Sequence, residues 1–151
     1  MKKPMLYLDT TVPSAFWDNR TPDRQQLTKE FWEKRLIRYD PVISVMVLRE
    51  IYDTPDIQKR QAMLDLVAGI IVLPFEIEAL QLAKDYMVRG IIPEKFGADA
   101  NHVAIAVSNG IAYFASWNFK HLVRINVRRE INLINALNGY GNIEIAAPPE
   151  F

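Results

Sequence analysis

Three acidic residues stand where one kind of element meets another. Asp9 ends the apolar run Met5-Leu6-Tyr7-Leu8, Glu50 lies within the segment that follows Ser44, and Asp99 opens an alanine-rich segment. Asn118 stands just past the run that begins at Ile111. Carboxylates gathered at one place repel, and each is costly to keep ionised without a cation. A divalent cation relieves that cost, and hard oxygen donors suit Mg²⁺ or Mn²⁺. Such a centre polarises a phosphate, lowers the pKa of a bound water and holds it in line for attack on phosphorus. Each residue also has an ordinary structural reading. Asp9-Thr10-Thr11 reads as the N-cap region of a helix, and Glu50 as a partly exposed helix residue. Asp99 reads as an acid at the positive end of a helix dipole, and Asn118 as a turn cap. His102 follows Asp99 by three residues, on the same helix face. It reads as a buried, hydrogen-bonded histidine or as a partner behind a ligand.

The elements that must position these residues are legible in the spacing. Met5–Leu8 reads as a buried strand, and residues 10–19 as a short helix after a turn. Thr21-Pro22-Asp23 opens a helix to about Arg38, with Leu27, Phe31 and Leu36 on its apolar side. Pro41–Ser44 reads as a second strand, with Ser44 capping a helix to about Thr54. Thr54-Pro55-Asp56 restarts a helix to about Val67, and Ile70–Leu73 is a β-branched strand. Residues 76–89 read as a helix with Ile77, Leu80, Ala83 or Lys84, and Met87 in line, closed by Gly90. Residues 98–109 form a helix ended by Gly110, and its Ala100, Ala104 and Ala106 permit close approach to a sheet. A strand over 111–116, a helix from about Leu122 to Leu137 and a last strand over 143–145 complete the chain. Strands separated by helices imply a mostly parallel sheet with helices on both faces. Asp9 and Asn118 then emerge at the C-terminal edge of that sheet, where such folds place their sites.

Composition sets the outer bounds. The chain has 151 residues, which favours one domain spanning 1–151. Lys plus Arg is 18 and Asp plus Glu is 18, so a wholly basic nucleic-acid surface is excluded while a local one is not. No cysteine is present, which removes disulfides, thiolate nucleophiles and Cys-based zinc sites. Two histidines cannot alone build a multi-His metal site. No stretch is long and apolar enough to span a membrane, and the expected location is the cytoplasm.

Four segments in order resemble PIN-domain ribonucleases, with the VapC-like toxins the nearest group by size. Met5-Leu6-Tyr7-Leu8-Asp9-Thr10-Thr11 is similar to their opening strand, and Ser44–Ile51 to their Ser-x5-Glu-Leu/Ile segment. Asp99-Ala100-Asn101-His102-Val103-Ala104-Ile105-Ala106 resembles their Asp-Ala-x-His-x-Ala-x-Ala helix. Ser116-Trp117-Asn118-Phe119-Lys120-His121 looks like their fourth strand end. The resemblance covers nearly the whole chain. It implies a three-layer α/β/α sandwich and a Mg²⁺- or Mn²⁺-dependent endoribonuclease, the toxin of a toxin–antitoxin pair. Asp9, Glu50 and Asp99 would be the acidic ligands, Thr11 and Ser116 the hydroxyls that steady acids or waters, and Asn118 the fourth position. Family members often carry Asp there, so Asn118 is a departure: an amide can ligate through oxygen but adds no charge.

RNA binding needs positive charge beside the acids. No Asp or Glu occurs between Asp99 and Glu130, and Lys120, Arg124 and Arg128 are four apart. They make one stripe if the helix starts early enough, facing RNA or an antitoxin, or else simply solvent. Phe16, Trp17, Phe31 and Trp32 crowd the N-terminal half. Adjacent helical residues point about 100° apart, so one sheet face does not cover both Phe31 and Trp32, and a homodimer interface is expected. Tyr7, Trp17, Trp32 and Tyr113 read as core or interface residues.

Two rival classes fit less well. A haloacid-dehalogenase-type phosphatase wants Asp at position 11, where Thr11 stands, and a nucleotide-binding domain wants a glycine-rich phosphate loop that the six glycines do not form. The remaining alternative is a PIN fold without catalysis that acts as an RNA-binding or protein-binding module.

Overall fold

A computed structural model of the chain describes residues 2–151. The strands are β1 (Met5–Leu8), β2 (Asp40–Ser44), β3 (Ile71–Leu73), β4 (Tyr113–Ala115) and β5 (Glu144–Ala146). They form one all-parallel sheet in the order β3-β2-β1-β4-β5. Helices α1 (Thr11–Phe16), α2 (Pro22–Glu30), α3 (Val45–Tyr52), α4 (Ile57–Val67), α5 (Ile77–Val88), α6 (Gly97–Ser108) and α7 (Ile125–Leu137) flank it. The result is the three-layer α/β/α sandwich. Central β1 has Leu6, Tyr7 and Leu8 fully buried, as a strand covered on both faces requires. Edge strand β3 leaves Ile71 and Val72 exposed. Among the described residues no helix is long and apolar enough to cross a membrane.

Local signals start and stop the elements. The Ser44 hydroxyl accepts from the Met46 N–H at 3.1 Å and caps α3. Asp56, rather than Thr54, caps α4 by accepting from Gln58 and Lys59 N–H. Gly110, between α6 and β4, takes φ +73°, which turns the chain from the helix carrying Asp99 into the strand leading to Ser116.

Three expectations need correction. The helix opened by Pro22 does not run evenly to Arg38: α2 passes into a π-helical turn over Phe31–Arg35 and a 3₁₀ turn over Leu36–Arg38. Phe31 and Leu36 are buried as expected, but Leu27 faces solvent and Thr28 is fully buried in its stead. The slot there is polar, because the Thr28 hydroxyl receives the Trp117 Nε1–H at 2.9 Å and donates to the Arg24 carbonyl at 2.7 Å. Helix α5 buries Ala79, Leu82, Ala83 and Tyr86, leaving Ile77 and Leu80 exposed. Small Ala79 and Ala83 let α5 lie close on α6, while Tyr86 reaches Asn135 of α7, and this packing turns Ile77 and Leu80 outward. Helix α7 begins at Ile125 rather than Leu122, because the Asn118 carbonyl captures the Leu122 and Val123 N–H groups in a turn.

A Cβ at Gly110 would meet nothing within 4 Å, so the backbone alone sets the cost of adding one. Gly110→Ala should lose about 1 kcal/mol, which lowers the melting temperature by about 3 °C. Gly141→Ala also enters open space, without positive φ, and should melt within a degree of wild type. Calorimetric scans of the two variants check this.

Candidate active site

Connections turn in opposite directions from β1 and β4, so the crevice of the sheet lies past their carboxyl ends. Asp9 stands there, 2% exposed, its N–H donating to the Ala115 carbonyl at 3.3 Å. Its Oδ1 accepts from the Thr11 N–H at 3.0 Å and from the Thr11 hydroxyl, and its Oδ2 accepts from the Ser116 hydroxyl at 2.5 Å. The same hydroxyls accept in turn. Thr11 Oγ1 takes the Trp117 N–H at 2.9 Å, and Ser116 Oγ takes the Asn118 N–H at 3.0 Å. One carboxylate thus stitches the start of α1 to the loop after β4. Burial pushes the Asp9 carboxyl up to about 6, against the charge of His102 and the bonds from Ser116 and Thr11, while Asp99 adds to the rise.

Glu50 reaches from α3 toward α6. Its Oε1 accepts from the Thr10 hydroxyl at 2.9 Å and meets His102 Nε2, while Oε2 has no hydrogen-bond partner among the described residues. Burial raises the Glu50 carboxyl, but the bond and charge of His102 and the Thr10 hydroxyl outweigh it and hold the group below its ordinary range. For His102 burial acts downward. The Glu50 bond and charge, followed by the charges of Asp9 and Asp99, outweigh it and raise the imidazole above its ordinary value. The other ring nitrogen, Nδ1, lies 2.7 Å from the Tyr7 hydroxyl, which lies 2.7 Å from Ser44 Oγ. A buried chain therefore runs from the cap of α3 through Tyr7 and His102 to Glu50. Burial holds the Tyr7 phenol far above its ordinary value, so it stays protonated.

Asp99, half-buried on the first turn of α6, is raised mainly by burial and further by the charge of Glu50. His102, His121 and the side chain of Asn118 pull it back. Asn118 Oδ1 accepts the His121 N–H at 3.0 Å. Asp9, Glu50, Asp99, Asn118, Thr11, Ser116 and His102 therefore come together at one sheet edge. Among the described residues no three His, Asp or Glu side chains stand in an arrangement that holds a metal ion as it is. Glu50 is turned onto His102, and Asp9 is wrapped in hydroxyls. The donor chemistry nonetheless fits a hard divalent cation: the donors are carboxylate and amide oxygens, Oε2 of Glu50 has no partner among the described residues, and Asp9 and Asp99 are anions destabilised by burial and by neighbouring carboxylates.

The basic residues divide. Lys120 and Arg124 are exposed, in the loop anchored on the Asn118 carbonyl. Arg128 does not join them. It is half-buried and donates to the Ile145 carbonyl at 3.2 Å, against β5. The stripe expected of Lys120, Arg124 and Arg128 does not form, because α7 starts after Lys120 and Arg124. Tyr7 and Thr10 were not among the expected site residues. For Tyr7 a signal was present: residues two apart on a strand share a face, so Tyr7 points to the side that Asp9 does.

No family model matches the chain, and no curated protein matches it. Several solved structures share its fold, among them two of VapC proteins. VapC20 of Mycobacterium tuberculosis, a toxin that cleaves the sarcin–ricin loop, superposes with a TM-score of 0.59 at 17% identity, over 77% of this chain and 92% of that one. VapBC2 of Rickettsia felis, bound to a DNA fragment from its promoter, gives 0.55 at 14% identity, over 93% and 98%. The fold is the VapC-like PIN-domain fold.

An acid whose folded-state pKa is raised costs stability as it ionises. The loss should accumulate as pH rises from about 4 to about 6 and stay complete above that. Asp9→Asn removes this cost while retaining an oxygen for Thr11. In EDTA the variant should be the more stable protein at pH 8, by no more than about 3 kcal/mol, and the difference should shrink toward pH 4. Urea unfolding across that range measures it.

Proposed function

We propose that this chain is a metal-dependent endoribonuclease of the VapC kind, hydrolysing RNA phosphodiester bonds in the cytoplasm and paired with an antitoxin. The observation that carries the reading is the acid pair Asp9 and Asp99 at the crevice of the sheet, each driven up by burial, with Glu50 offering a free oxygen beside them. The fold of VapC20 and VapBC2 supports it by analogy. Asp9, Asp99 and Glu50 would hold Mg²⁺ or Mn²⁺, and Asn118 would serve beside Asp99. When bound, the cation supplies an activated water and offsets charge that develops on the scissile phosphate. The protein's own groups do the positioning. Thr11 and Ser116 fix both oxygens of Asp9, and His102, backed by Tyr7, fixes Oε1 of Glu50 and leaves Oε2 without a partner among the described residues. Exposed Lys120 and Arg124, on the loop that follows Asn118, would supply countercharge to phosphates of the approaching strand.

Asp9→Asn and Asp99→Asn should each lower Mg²⁺- or Mn²⁺-dependent RNA cleavage at least 100-fold while the protein stays folded. A gel assay with separately purified preparations reads this out. Wild-type rates from either variant, with contaminating nuclease excluded, would overturn the assignment.

The chain pairs with a second copy through the α1–α2 surface. Phe31 is buried in the core, and Trp32 beside it remains half-buried, edge-on to Phe16 at 5.9 Å. An aromatic left at the surface in this way suits an isologous contact. Trp32→Glu should convert a dimer to a monomer in light scattering. A wild-type protein monomeric at micromolar concentration would refute the pairing.

A further inference from the structure

Beside the acids, on the α2 side, the structure holds a basic and aromatic cluster that the acid chemistry does not use. The Arg24 guanidinium lies over the Trp117 ring at 5.0 Å and over the Phe119 ring at 5.8 Å. The two rings are 6.0 Å apart and tilted by 60°. Trp117 is nearly buried and pinned, since its indole N–H donates to Thr28 and its backbone N–H to Thr11. Phe119 is 46% exposed. Arg24 forms no ion pair, and its guanidinium makes no hydrogen bond among the described residues. Asp18, which lines the same cleft, is engaged by Arg20 instead.

We propose that Arg24 and Phe119 form a nucleotide subsite for single-stranded RNA, contiguous with the acid centre. The proposal rests on the ribonuclease reading above. Its location is set from two sides. Thr11, which holds Asp9, lines the cleft of about 190 Å³ in which Arg24 and Trp117 stand. Asn118, whose side chain serves Asp99, lies between Trp117 and Phe119 in the chain. A strand whose phosphate sits at the acids therefore passes this cluster with its neighbouring nucleotide. A guanidinium held over two aromatic rings, with no carboxylate bound to it, keeps its N–H donors available for a phosphate. An exposed phenyl ring alongside offers a base a stacking face without regard to sequence. A guanidinium that merely covered Trp117 would leave its donors idle and would not explain the exposed ring beside it.

The test measures binding of a short fluorescein-labelled single-stranded RNA by anisotropy, in the full chain carrying Asp99→Asn so that the probe survives. In that background Arg24→Gln should weaken binding about tenfold and lower the slope of log affinity against log salt by about 0.7, the loss of one phosphate contact. Arg24→Lys should recover the slope but only part of the affinity. Phe119→Ala should weaken binding at unchanged slope and reduce quenching of a 2-aminopurine placed in the probe. With Asp99 restored and Mg²⁺ present, Arg24→Gln should raise KM and leave kcat within twofold. Affinity within twofold of the parent for both Arg24→Gln and Phe119→Ala, in a protein whose Asp99-containing form cleaves RNA, overturns the subsite and leaves the ribonuclease reading intact. The same holds if the variants lose only a protein partner. A parent that neither binds nor cleaves RNA overturns both.

Discussion

A carboxylate is buried at the end of the central strand, and most of the architecture around it answers to that fact. Asp9 has almost no contact with water, so its charge must be met by donors or removed by a proton. Three donors meet it, from Thr11 and Ser116, and they come from two chain segments more than a hundred residues apart. The parallel sheet makes this possible. With β4 beside β1, the loop after β4 opens beside the loop after β1, and the hydroxyl of Ser116 arrives where Oδ2 points. Those donors do not fully compensate for burial, and the acid remains raised. An anion kept short of its full solvation is one that gains by meeting a cation.

The histidine in the interior divides the work between the two oxygens of Glu50. His102 and Thr10 share Oε1, and Oε2 is left over. Tyr7 stands behind His102 and Ser44 behind Tyr7, so the direction of Glu50 is fixed by a chain that ends at the cap of the helix carrying it. Every member of that chain behind Glu50 is buried, where an unpaired polar group is costly, and this favours a single arrangement over several.

Charge in this protein is sorted by depth rather than by sign of the whole. The formal total is zero, yet Asp9 is buried and Glu50 and Asp99 are half-buried, while Lys120 and Arg124 are exposed. The turn after β4 makes this sorting. By capturing Leu122 and Val123 N–H on the Asn118 carbonyl it keeps Lys120 and Arg124 out of α7 and exposed, while Arg128 goes into the helix and packs against β5.

The resemblance to PIN domains implied that Asp9, Glu50, Asp99 and Asn118 gather; the sequence by itself determined the alternation of strand and helix, the cap at Ser44 and the turn at Gly110. These follow from apolar run length, capping side chains and glycine, which act over a few residues. Tertiary structure alone decided which face of a helix turned inward. Leu27 yielded to Thr28 because an indole N–H needed an acceptor, and Ile77 and Leu80 yielded to Ala79, Leu82 and Tyr86 because a neighbouring helix came close. It also decided that Tyr7 joins the site, that Arg128 leaves it and that Arg24, ninety-three residues before Trp117, comes to lie over that ring. Hydrophobic spacing reports how much apolar surface an element offers. It does not report the shape or polarity of what that surface meets, and those are properties of the partner element brought in from elsewhere in the chain.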